Sequence, residues 1–328
     1  MALISGYDTL LLDLDGVVYV GKHAVPGAPE ALERARTAGI RLAFVTNNAS
    51  RTPAAIAEHL THLGVTATPT DVVTSAQAAA RLIAEHVPPG SAVLVVGGMG
   101  LRGAVRALGL RPVTTAADRP AAVAQGMWDG ISYGLLGEGT LAVRQGAWFV
   151  AANGDTTLPT PRGAFPGNGS MSEVIATATG VRPVYAGKPE LPLHRETLIR
   201  TGAQRPLIVG DRLDTDIEAA TRAGVDSLLV LTGVSGPLDL LTAIPARRPT
   251  YIAADLHALH EPPVRPRRDD QAGWRCGGWS ARWADDQVHL DGAGDSIDGL
   301  RAACAATWEA VGDRHADEGS VKEALALL

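Results

Sequence analysis

The chain has 328 residues, 46% of them hydrophobic and 20% charged, and a formal net charge of -6. That length suits two domains and a smaller third, the composition suits a globular protein, and the acidic balance argues against a nucleic-acid binder built on phosphate contacts. Two late cysteines, Cys276 and Cys304, make no disulfide framework and point to a reducing cytoplasm, and the N-terminal apolar run, broken by Asp13 and Asp15, is neither a signal peptide nor a membrane span.

The segment Leu10–Tyr19 (LLLDLDGVVY) reads as a buried strand ending in two carboxylates. At i and i+2, Asp13 and Asp15 point to the same side of a strand. Carboxylates that close repel each other and cost desolvation, which a divalent cation such as magnesium, with its preference for oxygen ligands, would resolve. Gly16 lets the backbone turn sharply there. A plain turn or a calcium loop is the duller reading; Val17-Val18-Tyr19-Val20 is wrong for the calcium loop, which needs further oxygen ligands.

A helix follows Pro26 and stops at Gly39; Ile40–Val45 reads as a second buried strand, ending in Thr46-Asn47-Asn48. Pro53–Leu63 is expected to be helical and Val72–Thr74 to be a strand. This alternation predicts a parallel sheet with ligands at the carboxyl ends of its strands. A helix over 76–87 stops at Pro88-Pro89-Gly90, and Ala92–Val96 is a strand running into Gly97-Gly98-Met99-Gly100, read as a turn rather than a phosphate loop. A second α/β pattern continues to Trp148–Ala151. Residues 154–170 are expected to form a long loop and Ser172–Thr179 a helix, so that 77–180 is an inserted domain.

The first pattern then resumes. Val184–Ala186 leads to Gly187-Lys188-Pro189, Pro206–Val209 to Gly210-Asp211, a helix spans Asp216–Ala223, and Ser227–Leu231 ends in Thr232-Gly233. Residues 261–270 read as a proline-rich charged linker. Beyond it, WSARW and QVHLDG around Asp285-Asp286 predict a β-hairpin, and Ile297–Val311 a helix capped by Asp295 or Ser296.

Four strand ends thus carry polar residues: Asp13 and Asp15, Thr46 and Asn47, Lys188, and Asp211. Two aspartates, a hydroxyl, a lysine and further acids along one sheet edge suit phosphoryl transfer, in which positioning and charge neutralisation dominate. Each has a bland alternative: Thr46 as a helix cap, Lys188 as a solvated charge, Asp214 and Asp216 as acids favoured at a helix start.

The segments DLDGVVY, FVTNN, AGKP and GDRLDTDI, in this order and with a domain-sized insertion between the second and third, resemble the four motifs of the haloacid dehalogenase superfamily. The insertion resembles the α/β cap of the p-nitrophenyl phosphatase-like branch, and the resemblance covers about 5–258. It implies an α/β fold, a Rossmann-like parallel-sheet core over 1–76 and 181–260 with a cap over 77–180; outside the resemblance, the hairpin and helix of 265–328 read as a small C-terminal α+β extension. The resemblance also implies an Mg2+-dependent phosphomonoesterase. Asp13 would form an aspartyl-phosphate and Asp15 would serve as acid and then base. Mg2+ would lie between the Asp13 carboxylate, the Asp15 carbonyl and the Asp211 carboxylate. Thr46, the Asn47 backbone and Lys188 would hold the phosphoryl group, and Asp216 would orient Lys188 or a water from behind the ligands.

The core motifs leave the substrate open. The segment 153–170 resembles the branch's specificity loop, with Asn153, Asp155 and Leu158 as candidate selectivity residues. A leucine at 158, as in the branch's glycolate- and glycerol-phosphate phosphatases rather than the histidine of its pyridoxal phosphatases, favours a small aliphatic ester; glycerol 3-phosphate is the first expectation, with 2-phosphoglycolate or pyridoxal phosphate as alternatives. The stretch QGMWDGISYG departs from the family's usual cap strand. A phosphotransferase and an idle binding protein are the other classes. The last region resembles a fragment of an acetyltransferase-like fold, too short for a complete acyl-CoA site, so no acetyl transfer is expected. A segment of that size should dock on the body or on another subunit, in an interaction or regulatory role. The expected partner is a small phosphorylated metabolite, with no nucleic acid and no membrane, and with a homo-oligomer left open.

Overall fold

The computed structural model describes residues 1–160, 162–269 and 273–328. They form two compact units, Met1–Leu42 with Ala203–Leu328, and Ala43–Gly202.

The first unit contains four parallel strands in the order Tyr251–Ala253, Asp226–Val230, Pro206–Gly210, Thr9–Leu12. Every residue of Thr9–Leu12 and Pro206–Gly210 is buried. A strand covered on both faces reads as an unbroken apolar run, which is why these two were legible without alternation. Leu12 lies beside Val209, and the Asp13 N–H still donates to the Val209 carbonyl at 2.9 Å. Both strands therefore deliver their following aspartates to the same edge.

After Asp13 the chain coils tightly, with the N–H groups of Val18 and Tyr19 both donating to the Leu14 carbonyl, and then forms a short hairpin, Tyr19–Val20 against His23–Ala24. Gly16 sits at φ +84, a conformation costly for any other residue. After Gly210 the chain makes a π-helical turn, Leu213–Ile217, before the α-helix Glu218–Ala223. The helix expected from Asp216 thus begins earlier, as a widened turn of a kind that recurs at functional sites.

The C-terminal segment contributes a four-stranded antiparallel sheet, Arg267–Asp269, Gly273–Cys276, Trp279–Ala284 and Gln287–Gly292, and the helices Ser296–Val311 and Glu318–Leu325. The expected hairpin is present, and both Asp285 and Asp286 adopt positive φ, which a two-residue hairpin turn demands and which aspartate tolerates. Asp295 caps the long helix by accepting from the Ile297 N–H at 2.9 Å. The linker expected over 261–270 is a strand at Arg267–Asp269, with Asp270 outside the described residues. Charge disguised it, and charge is what protects an edge strand from pairing further. The extension shares a core with the body: Trp279, Leu290, Leu300, Ala303, Cys304 and Val321 pack in one apolar cluster with Leu213, Ile217, Leu229, Leu240, Leu241 and Ile252.

The second unit holds the end of the strand Arg41–Thr46, paired in parallel with Val72–Thr74, and a five-stranded parallel sheet. The order of that sheet is Val184–Tyr185, Trp148–Ala151, Ala122–Gln125, Ala92–Val96, Arg111–Val113. The long loop expected over 154–170 is instead an antiparallel hairpin, Thr157–Thr160 with Gly163–Pro166, followed by a helix from Asn168 to Thr179. Pro161, within that loop, lies outside the described residues. The hairpin is largely exposed on both faces, so its sequence carries no alternating apolar signal. Gly98 precedes the helix Met99–Ala107, and a Cβ on Gly100 would stand 2.5 and 2.6 Å from the carbonyl oxygens of Arg51 and Ala49. Close packing against the loop after Thr46 accounts for that glycine. Among the described residues no helix is long and apolar enough to cross a membrane.

Candidate active site

Three carboxylates converge in the first unit. Asp13, Asp211 and Asp216 each offer an oxygen, and these oxygens lie within 4.8 Å of one another. Asp211 and Asp216 are buried, and Asp13 is half-buried. The strand ends deliver Asp13 and Asp211; the π turn brings Asp216 back, where its Oδ2 accepts from the Arg212 N–H at 3.2 Å. Asp216, expected one layer behind the ligands, therefore offers an oxygen to the cluster itself. Asp15 is exposed, and its carboxylate is not part of the cluster. Asp214 is turned to the Arg212 guanidinium, at 2.8 and 3.0 Å. Burial pushes its carboxyl up, but Arg212, with Arg247, outweighs this and holds it below the usual carboxylate range.

Glycines line the acids. A Cβ on Gly16 would stand 2.4 Å from Asp211 Oδ2, one on Gly233 2.0 Å from the same atom, and one on Gly210 2.1 Å from Asp216 Cβ. Val234 N–H donates to Asp211 Oδ2 at 2.7 Å, Ser235 N–H to its carbonyl at 3.0 Å, and Thr232 Oγ1 to the Gly16 carbonyl. The sequence shows Thr232-Gly233 after a strand, but nothing in it ties this loop to Asp211.

The second unit carries the other expected residues, joined through Asn47. The Asn47 side chain accepts from the Lys188 N–H at 2.8 Å and donates to the Lys188 carbonyl at 3.1 Å and to the Asp155 carboxylate at 3.2 Å. Its backbone carbonyl accepts from Ser75 Oγ at 2.6 Å and Asn153 Nδ2 at 2.7 Å. Gly187 allows this approach, since a Cβ there would stand 2.4 Å from Asn47 Oδ1. Lys188 is buried, not a solvated charge, and its Nζ donates to the Val45 carbonyl at 3.0 Å. Thr46 is buried and its Oγ1 accepts from the Asn48 N–H. Asn168, which the sequence reading passed over, is buried at the start of its helix and donates to the Asn153 carbonyl at 2.7 Å. Leu158 lies on the exposed hairpin opposite Phe165.

A cluster of three carboxylates with only oxygen donors is chemically suited to a hard divalent cation. A model of the haloacid dehalogenase-like hydrolase family matches residues 10–111, and a HAD-hydrolase-like model matches 185–259. The chain belongs to the haloacid dehalogenase-like hydrolases and is a phosphatase of that family. It is 48% identical over 313 residues to the D-glycerol 3-phosphate phosphatase of Mycobacterium tuberculosis, covering 94% of this chain and 88% of that one. The crystal structure of the glycerol phosphate phosphatase from that organism in complex with magnesium superposes with a TM-score of 0.88 at 44% identity, over 100% of this chain and 98% of the other. The 5'-nucleotidase YutF of Bacillus subtilis is 39% identical over 231 residues, 70% of this chain and 89% of its own. The expected α/β class, with Rossmann-like parallel sheets and a cap, agrees with these neighbours. A GCN5-related N-acetyltransferase like model matches residues 276–328, inside the segment whose hairpin and helix resemble that fold.

Proposed function

We propose that the protein hydrolyses glycerol 3-phosphate with Mg2+ as cofactor. The observation that carries the reading is the Asp13–Asp211–Asp216 cluster at the ends of parallel strands. The near full-length similarity to a glycerol 3-phosphate phosphatase supports the substrate. The nucleotidase relative shows that the family alone does not choose it.

In this reading 1–76 and 181–260 form the catalytic core, 77–180 the cap and 265–328 the extension, except that the strand Val184–Tyr185 pairs with Trp148–Ala151 and so completes the cap sheet, which puts the boundary after Tyr185 rather than at 180. Asp13, Asp211 and Asp216, with the Asp15 backbone carbonyl, would hold Mg2+, which when bound neutralises charge on the phosphoryl oxygens. An Asp13 oxygen attacks phosphorus, and the bond to the ester oxygen breaks. The Asp15 carboxyl, solvent-exposed and outside the cluster, gives its proton to the departing alkoxide. It then takes a proton from the water that attacks the aspartyl-phosphate, releasing phosphate and restoring Asp13. Thr46, the Asn47 backbone and Lys188 are assigned to the phosphoryl oxygens on their motif positions. The Asn47 side chain is occupied by Lys188 and Asp155 and acts by fixing their positions. Asn153, Asp155 and Leu158 select the substrate. The cytoplasm fits two buried free cysteines.

Phosphate release from glycerol 3-phosphate, 2-phosphoglycolate, pyridoxal phosphate, sugar phosphates and nucleotides, with and without Mg2+, tests the assignment. Glycerol 3-phosphate should be turned over best, only with Mg2+, and not by Asp13→Asn. A better nucleotide or sugar phosphate would overturn the substrate; Mg2+-independent turnover would overturn the site.

A further inference from the structure

The C-terminal extension packs against the π turn through Leu213 and Ile217, and it also reaches toward the acidic cluster through a short helix, Pro237–Leu241. The loop before it wraps Asp211. Val234 and Ser235 donate to the Asp211 carboxylate and carbonyl, and Ser235 Oγ accepts from the Leu213 N–H at 3.1 Å, tying the loop to the start of the π turn. The helix begins two residues after Ser235, with the Gly236 N–H donating to Asp239 Oδ2 at 2.8 Å.

Five residues make a helix with almost no stability of its own, so tertiary contacts decide where it sits. Those contacts come from the extension. Leu240 and Leu241 are fully buried in the cluster that includes Leu300, Ala303 and Cys304. The indole Nε1 of Trp308 donates to the Leu240 carbonyl at 2.9 Å, at the carboxyl end of the helix, where backbone acceptors otherwise lack partners. Arg248 braces the same corner: it donates to the carbonyls of Ala243 at 3.1 Å, Trp308 at 3.4 Å and Arg314 at 3.2 Å, and lies 5.7 Å over the Trp308 ring. A line of backbone and packing contacts thus runs from Trp308 through Leu240 and the Gly236 carbonyl into the Val234–Ser235 loop, where Ser235 holds the Asp211 carbonyl and Val234 its carboxylate, all inside one compact unit.

We propose that the extension is a positioning element for the cation site, with Trp308, acting through the Pro237–Leu241 helix and Ser235, holding the Asp211 carboxylate in the pose that binds a divalent cation. The proposal rests on the assignment of Asp211 as a ligand. Groups that orient a ligand from behind commonly change metal affinity by about ten- to a hundredfold when removed, and a more distant support should change it less.

Deleting the extension would strip apolar cover from Leu240, Leu241 and Ile252 and fail for that reason alone, so point variants of the full chain are needed. Trp308→Phe keeps a ring and removes the indole donor. Ser235→Ala removes the link to Leu213. Trp274→Phe is the matched control, because Trp274 Nε1 bonds within the extension, to Glu309 at 2.9 Å. Mn2+ binding, read from the loss of the free-ion paramagnetic resonance signal, serves as a probe independent of turnover. Ser235→Ala should raise the Mn2+ Kd about tenfold and Trp308→Phe about threefold, with Trp274→Phe unchanged and KM at saturating Mg2+ unmoved in all three. Wild-type Mn2+ affinity in Trp308→Phe, or equal weakening in both tryptophan variants, would overturn the proposal. Intact Mn2+ binding in Asp211→Asn would instead overturn the cation-site assignment beneath it.

Discussion

Gly233→Ala is the sharpest test of how the acidic cluster is built. Its Cβ would stand 2.0 Å from Asp211 Oδ2, 2.5 Å from Cγ and 2.7 Å from Cβ. Real Cβ atoms essentially never come within 3.0 Å of such a neighbour, so the carboxylate must retreat by about 1 Å. It cannot do so freely, because Val234 N–H holds the same oxygen at 2.7 Å. A displacement of about 1 Å at a reacting site costs on the order of a hundredfold in rate, about 2.7 kcal/mol of barrier. Overpacking of this kind costs about 1–3 kcal/mol of stability. Gly233 is not at positive φ, so backbone strain adds nothing. Gly236, three residues on, is also free of that constraint, and its Cβ would meet nothing closer than 3.9 Å, which makes Gly236→Ala the control. Phosphate release against Mg2+ concentration, with thermal unfolding alongside, separates the outcomes. Gly233→Ala should lose about a hundredfold in kcat/KM and need more Mg2+, while Gly236→Ala stays near wild type. Wild-type Mg2+ dependence in a folded Gly233→Ala protein would refute the claim that this glycine makes room for Asp211.

Three further predictions follow from other parts of the molecule. Asn168→Ala removes the buried donor to the Asn153 carbonyl, so stability should fall by about 1–3 kcal/mol and KM should rise more than kcat falls; the opposite split would refute its role in holding the Asn153–Asp155 turn. Burial, with the Asp298 carboxylate, pushes the Cys276 thiol up to about 12, and burial raises Cys304 as well, so neither should react with a thiol reagent at pH 8 until the chain is unfolded; rapid labelling of the folded protein would contradict the packing of the extension. The lowered Asp214 carboxyl contributes stability that is present above its unfolded value, about 3.9, and is lost as the pH falls through the folded value. Because the pair with Arg212 is well exposed, Asp214→Asn should flatten the acid limb of a stability–pH curve by less than about 1 kcal/mol, and a larger change would mean that Asp214 has a further partner.

What could be read from the sequence was set by burial. Thr9–Leu12, Pro206–Gly210 and Ala92–Val96 are covered throughout, so each appears as a short apolar run with punctuation after it. The hairpin Thr157–Thr160 with Gly163–Pro166 is largely exposed, and the edge strand Arg267–Asp269 is charged at all three positions, so neither leaves a hydrophobic signature. Asp13 and Asp211 stood out because a carboxylate directly after a buried strand is costly unless something binds it. Asp15 and Asp216 show where spacing misleads. The i, i+2 rule holds only while the strand continues, and the strand ends at Leu12, so the coil through Leu14 leaves the Asp15 carboxylate exposed and outside the cluster. Asp216 looked like a helix-start acid. The π turn from Leu213 to Ile217 adds a residue to that turn, and its carboxylate joins Asp13 and Asp211 instead.

The supporting residues were illegible for a related reason. Ser235, Asn168 and Trp308 act through single hydrogen bonds to backbone atoms far away in sequence, and such bonds impose no periodicity or spacing on the chain. The glycines are the partial exception. Gly16, Gly210 and Gly233 come from three separate segments, and Gly16 and Gly233 stand against Asp211 while Gly210 stands against Asp216, because a charged group held by backbone N–H donors must be approached closely by backbone. Nothing in the sequence ties Gly233 to Asp211; the structure alone shows that its missing side chain makes room for that carboxylate.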